Sequence, residues 1–212
     1  MCERVIIMPY FNLFRKKETP DELNGQAMEF YSGGKFVAAA NCARKSAEMG
    51  DAKGMCLYSS ILLAGNGVQQ DIPSAVALMK ASADIGYVPA LMALSNWYMS
   101  GSFVEKNEEK GFELMKEAAE QRYAEAERKL GLMYAHAMGT VEDLVRAHYW
   151  LEEAANQDDA EAQYQLGLMH GIGVGVESSM ERAYYWFAKA AGQGHEKAIK
   201  NCEQMLGDCG EK

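Results

Sequence analysis

Residues 171–175, Gly-Ile-Gly-Val-Gly, are the stretch of this sequence best suited to chemistry, because clustered glycines let backbone amides approach a phosphate. A dinucleotide fingerprint places such glycines after a strand and before a helix, with an acidic residue about 20 positions on. Here they follow Ala160, Glu161, Ala162, Gln163 and Leu166, a helix-forming run, so the context is reversed and no phosphate cradle is expected. Histidines come next. His136, His148 and His170 have no second histidine three or four positions away, the spacing that puts two imidazoles on one helix face, so no metal site is expected. Glu152, Glu153, Asp158, Asp159 and Glu161 could supply a general acid and base, yet no nucleophile with a partnered base accompanies them. A solvated acidic stripe accounts for them.

Five cysteines, Cys2, Cys42, Cys56, Cys202 and Cys209, form an odd set without a CxxC, against a disulfide framework and against thiolate zinc. Reduced thiols in a cytoplasmic protein fit better. Cys202 and Cys209 could share a helix face, but Gly207 between them is expected to end that helix. No catalytic residue and no cofactor are expected.

The elements that would carry these side chains are helices. The 212 residues include 20 Gly but only 4 Pro, and 49% are apolar, a composition for helices separated by glycine turns. The net charge is −9; Arg4, Arg15, Lys16 and Lys17 against Glu3 leave +3 on residues 1–17 and therefore −12 on the remainder. An acidic body argues against nucleic acid and suits a basic protein partner. Residues 1–20 read as an N-terminal arm whose apolar positions from Val5 to Phe14, broken by Pro9, fall short of a membrane span and lack the order of a secretory signal.

Displacing the sequence against itself by 36 residues aligns four segments without a gap, 52–87, 88–123, 124–159 and 160–195. The glycine cluster now has counterparts beginning at Gly65, Gly101 and Ala137, and a turn that recurs is structural. Each unit reads as two helices, the second introduced by a capping residue, Asp71, Asn107, Asp143 or Ser179. One column holds alanine throughout, Ala83, Ala119, Ala155 and Ala191, which marks a close helix crossing. Phe103 in the second unit and Asp158-Asp159 in the third depart from the glycines expected there, so those turns are expected to be irregular. Residues 21–51 form a degenerate unit with a tight turn at Gly33-Gly34, and 196–212 a capping helix and tail.

The segments AEAQYQLGLMHGIGVGV and MERAYYWFAKAAGQGH resemble the Sel-1-like repeat family, relatives of the tetratricopeptide repeats. The resemblance implies an all-α fold, a right-handed superhelix of antiparallel helix pairs, and a noncatalytic adaptor role. Carrying the tetratricopeptide-type groove onto matching positions assigns Lys53, Cys56, Ser60, Leu63, Pro89, Met92, Asn96 and Met99 to a concave partner-binding face. Glu125, Arg128, Leu132, His136, Glu161, Tyr164 and Leu168 complete it. The expected partner is a protein or peptide. Its sharper form is a basic toxin or effector neutralised by this acidic chain; self-association through the N-terminal arm, and a regulatory or hydrolytic enzyme using the glycine turns or the acidic run, are the alternatives.

Overall fold

In a computed structural model that describes residues 18–210, with side chains described through Gly207, the chain forms eleven helices and, among the described residues, no strand. They are α1 (Pro20–Ser32), α2 (Phe36–Glu48), α3 (Ala52–Ala64), α4 (Ile72–Asp84), α5 (Val88–Ser100) and α6 (Glu108–Glu120), followed by α7 (Ala124–Ala135), α8 (Leu144–Asn156), α9 (Ala160–Ile172), α10 (Met180–Gly192) and α11 (Glu196–Gly210). Consecutive helices pack on one another, so each unit is an antiparallel pair that buries its apolar side only when the next unit stacks on it. The expectations for the N-terminal arm fall largely on residues 1–17, outside the described residues.

Local chemistry accounts for where the second helices begin. The side chains of Asp71, Asn107, Asp143 and Ser179 accept the amides of Ser74, Lys110, Arg146 and Arg182, satisfying one otherwise unpaired donor at each N-terminus. Within a unit the two helices cross on small residues. Ser59 donates to the Ala75 carbonyl at 2.7 Å and Ser95 to that of Gly111 at 2.6 Å, both bonds buried. One unit on, Gly131 replaces the serine, and a Cβ there would meet the Ala147 carbonyl at 3.1 Å and Leu151 at 2.9 Å.

The connections between units keep one geometry despite their changing sequence. Gly50, Gly86 and Gly194 have positive φ, and so do Arg122 (61°) and Asp158 (62°) in the same column. The turn expected to be irregular at Asp158 is therefore regular, because packing of the flanking helices outweighs the cost of about 1 kcal/mol of holding a side-chain-bearing residue left-handed. The second unit does depart at Phe103, which is not left-handed and lies edge-on to Trp97 at 5.0 Å. In the degenerate unit the turn between α1 and α2 is three residues long, against seven between α3 and α4, and Gly34 (φ 74°) makes the tight turn. Gly207 does not end α11, contrary to expectation: the helix continues to Gly210, since a glycine lowers helix propensity by only about 1 kcal/mol.

Part-buried polar pairs tie the first helix of a unit to the turn that closes it, and one of them reaches on to the preceding unit. Gln193 on the far side of α10 donates to Gln163 Oε1 at 2.9 Å, and Gln163 in turn donates to the Ala155 carbonyl at 3.1 Å. The same columns one unit earlier hold Gln157 and Glu127, joined at 2.6 Å, with Glu127 only 1% exposed. Burial pushes the Glu127 carboxyl above its ordinary range, assisted by Glu153 and opposed by Arg122 and by the Gln157 bond. A raised carboxyl pKa means that the folded state holds its proton more tightly, so the stability this group contributes is lost as pH rises from its ordinary value of 4.5. Glu127→Gln reproduces the Gln163 arrangement without a charge. It is expected to stabilise the protein by about 1 kcal/mol at neutral pH and to flatten the decline above pH 4.5, measured by urea unfolding at a series of pH values.

Candidate functional site

The first helices of the units, α1, α3, α5, α7 and α9, carry every residue assigned to the partner-binding groove except His136, which is the C-cap of α7. Their accessibility divides the set. Ser60, Pro89, Asn96 and His136 are exposed, while Lys53, Cys56, Leu63, Met99, Leu132 and Leu168 are half-buried. Burial also pushes the Cys56 thiol up, so it is a poor nucleophile.

The column of Cys56, Met92, Arg128 and Tyr164 does not present one surface. Met92 is 6% exposed and belongs to the core, which corrects its assignment to the groove: it is packed in the apolar cluster rather than presented to solvent. Arg128 pairs with Asp159 at 3.0 Å, and Asp159 also caps α9 through the Ala162 amide. Tyr164 stacks on His195 at 4.6 Å between ring centroids and leans on Phe187 at 5.8 Å, and His195 accepts the Ala198 amide of α11. Arg128 thus ties α7 to the start of α9, and Tyr164 ties α9 to the start of α11.

The carboxylates are similarly engaged. Lys129 bonds Glu125 at 2.8 Å and holds its carboxyl below the usual range. Burial pushes Glu161 up, but bonds from Gln165 and His195 outweigh it and the net direction is down. Arg122 approaches Glu153 at 3.9 Å. The acidic run 152–161 is thus engaged by the Asp159 cap and by pairing with Arg122, Arg128 and His195, and is not the freely solvated stripe that composition suggests.

An apolar cavity opens at the N-terminal end of the first-helix face, with a volume of about 300 Å³. Ala27, Met28, Tyr31 and Ser32 of α1 and Leu57, Ser60 and Ile61 of α3 line it. Met28 is 52% exposed and Tyr31 39%. The Tyr31 hydroxyl accepts from Asn66 at 3.0 Å and its ring meets Phe36 edge-on at 5.2 Å, so the wall is braced from two sides. Sequence reasoning reached Ser60 but missed the α1 contribution, because the short α1–α2 turn takes α1 out of the 36-residue register.

It also missed a pair of imidazoles. His148 on α8 and His170 on α9 are far apart in sequence, yet their Nε2 atoms lie 3.3 Å apart, with rings perpendicular at 89°. The signal was present one unit earlier: the same two columns hold Phe112 and Tyr134, whose rings meet at 5.2 Å and 85°. Among the described residues, no group of three or more His, Cys, Asp or Glu side chains is placed to hold a metal, and no helix is long and apolar enough to cross a membrane.

Eleven helices stacked as repeating pairs define an α-solenoid. A family model described as Sel1 repeat matches residues 52–87, 88–123, 124–159 and 160–195, more than half of the chain, and the chain belongs to that family. Among solved structures, a Sel1 repeat protein from Oxalobacter formigenes is 26% identical with a TM-score of 0.77, over 85% of this chain and 74% of that one. A protective antigen present in uropathogenic Escherichia coli strains is 28% identical with a TM-score of 0.75, over 78% of this chain. This chain spans 36% of that antigen's length. An immunity protein from Pseudomonas aeruginosa, 19% identical with a TM-score of 0.50 over 87% of this chain and 74% of that one, shares the fold. No curated protein matches the chain. Sel1 repeat proteins typically mediate protein–protein interaction.

Proposed function

We propose that this chain is a noncatalytic scaffold that holds an extended peptide of a protein partner along its first-helix face, with one large apolar side chain of that peptide in the cavity between α1 and α3. The observation that carries this reading is the cavity itself: an apolar opening of about 300 Å³ beside the exposed Ser60, large enough for an aromatic or branched side chain. Exposed Asn96 farther along the face offers an amide able both to donate to and to accept from a peptide backbone. An anchor residue in a desolvated pocket with polar contacts along the chain is the usual division of labour in peptide recognition.

The test is selection of a displayed random-peptide library on the wild-type protein. Enriched peptides are expected to share a large apolar residue, and their affinity is expected to fall at least tenfold in Met28→Lys and in Ser60→Trp, which fills the opening. Equal affinity in both variants removes the cavity as the anchor.

The acidic neutralising role, with a basic toxin or effector as partner, draws on a different surface. Glu109, Glu113, Glu117 and Glu120 lie exposed along α6, whereas Glu125 and Glu161 on the first helices are already paired. Affinity for a basic partner on α6 would fall steeply with added salt, while an apolar anchor in the α1–α3 cavity would hold its affinity. The likeness to an immunity protein at 19% identity speaks for the fold alone.

A further inference from the structure

His148 and His170 occupy a place where the fold itself has no need of histidine. In the preceding unit the same contact is made by Phe112 and Tyr134 with nearly the same ring separation and angle, so an ordinary aromatic pair packs this boundary. Histidine adds two ring nitrogens where that pair has carbon and a hydroxyl. His170 is 2% exposed, and the Glu177 backbone acts on its ring as a hydrogen-bond acceptor, which favours the Nδ1–H form and leaves Nε2 facing His148.

The geometry points to a use for the pair: we propose that the two Nε2 atoms form a bidentate site for a divalent transition-metal ion of the zinc, nickel or copper class, bridging α8 of the third unit and α9 of the fourth. Two imidazole nitrogens bound to one tetrahedral ion at about 2.05 Å stand about 3.3–3.4 Å apart, and the observed separation is 3.3 Å. Imidazole is the favoured ligand for these ions, whereas magnesium and calcium prefer oxygen, so selectivity follows from the donor atoms. Water fills the remaining positions, because only two protein side chains converge. Binding requires both rings in the Nδ1–H form, which turns both Nε2 lone pairs towards the ion and releases no net proton from two neutral histidines. For His148, the Glu152 carboxylate lies 4.0 Å from Nδ1, beyond hydrogen-bond reach, and favours that tautomer through its charge alone. Arg182 also acts on both rings and opposes the ion's charge, while Glu152 offsets it. The ion would add to the Gln163–Ala155 bond in tying the third and fourth units together.

The experiment is calorimetric titration of the full chain, stripped with a chelator, with zinc, nickel and magnesium chlorides. The fold-preserving control is His148→Phe with His170→Tyr, which re-creates the Phe112–Tyr134 contact. Expected are one saturable zinc or nickel site per chain in the wild type, no magnesium binding, and loss of that site in the double variant. Long-range proton–nitrogen spectra of the wild type should show both Nε2 resonances shifting on zinc addition. Absence of saturable binding in the wild type overturns the proposal, and so does unchanged stoichiometry in the double variant, which would assign the binding to the cysteines or to surface groups.

Discussion

Gly175→Ala is expected to cost about 2–4 kcal/mol, read as a fall of about 5–15 °C in the thermal midpoint. Two costs coincide there. Gly175 has φ 72°, which an alanine adopts at about 1–2 kcal/mol. A Cβ would also meet the Leu144 carbonyl oxygen at less than a contact distance and its carbonyl carbon at 2.7 Å. Leu144 is the first residue of α8, so neither the turn nor the helix start can yield without separating the third and fourth units. Gly139 makes the same approach to Glu108 at the start of α6, and Gly67 to Phe36 at the start of α2. Gly171→Ala, four residues earlier in the same glycine-rich stretch, is the internal control. Gly171 lies inside α9, and a Cβ there meets only the Ala183 methyl at an ordinary 3.8 Å. Its replacement should leave stability unchanged or raise it by about 0.5–1 kcal/mol. Equal losses in the two variants would refute the inter-unit role assigned to Gly175.

Ala155→Leu is expected to cost about 1–3 kcal/mol through overpacking. Ala155 is fully buried at the C-terminal end of α8, and its carbonyl accepts from Gln163 of α9 at 3.1 Å. A leucine must push α9 outward or displace Gln163, which would also break the bond from Gln193 that the Gln163 carbonyl accepts. Ala155→Gly at the same position loses helix propensity and little else, about 1 kcal/mol. The leucine variant should therefore both unfold at lower denaturant and lose hydrogen-exchange protection at the boundary between the third and fourth units. A leucine variant as stable as the wild type would mean that the alanine column does not mark a tight crossing.

The repeating columns made most of the fold legible. Caps at Asp71, Asn107, Asp143 and Ser179 act where a short acceptor side chain followed by an apolar-periodic run predicts them, because capping is a local interaction between residues three apart. The glycine cluster was legible as a turn for the same reason. Less was legible of the candidate site. A column describes an average environment over four units, and so it placed Met92 beside Arg128 and Tyr164 although the first lies in the core and the other two are engaged by Asp159 and His195. Arg122 carries no mark of a left-handed turn in its residue type; flanking helices impose it.

The sequence by itself determined the period, the helix pairs, their caps and the small residues at their crossings, since each follows from interactions within a few residues or from recurrence at a constant spacing. Only the tertiary structure decided which groups meet between units: His148 with His170, Gln163 with the Ala155 carbonyl, and α1 with α3 around a cavity. Those contacts depend on how far one unit slides and turns against the next, and that stagger is set by the summed packing of whole helices, which no single stretch of residues encodes.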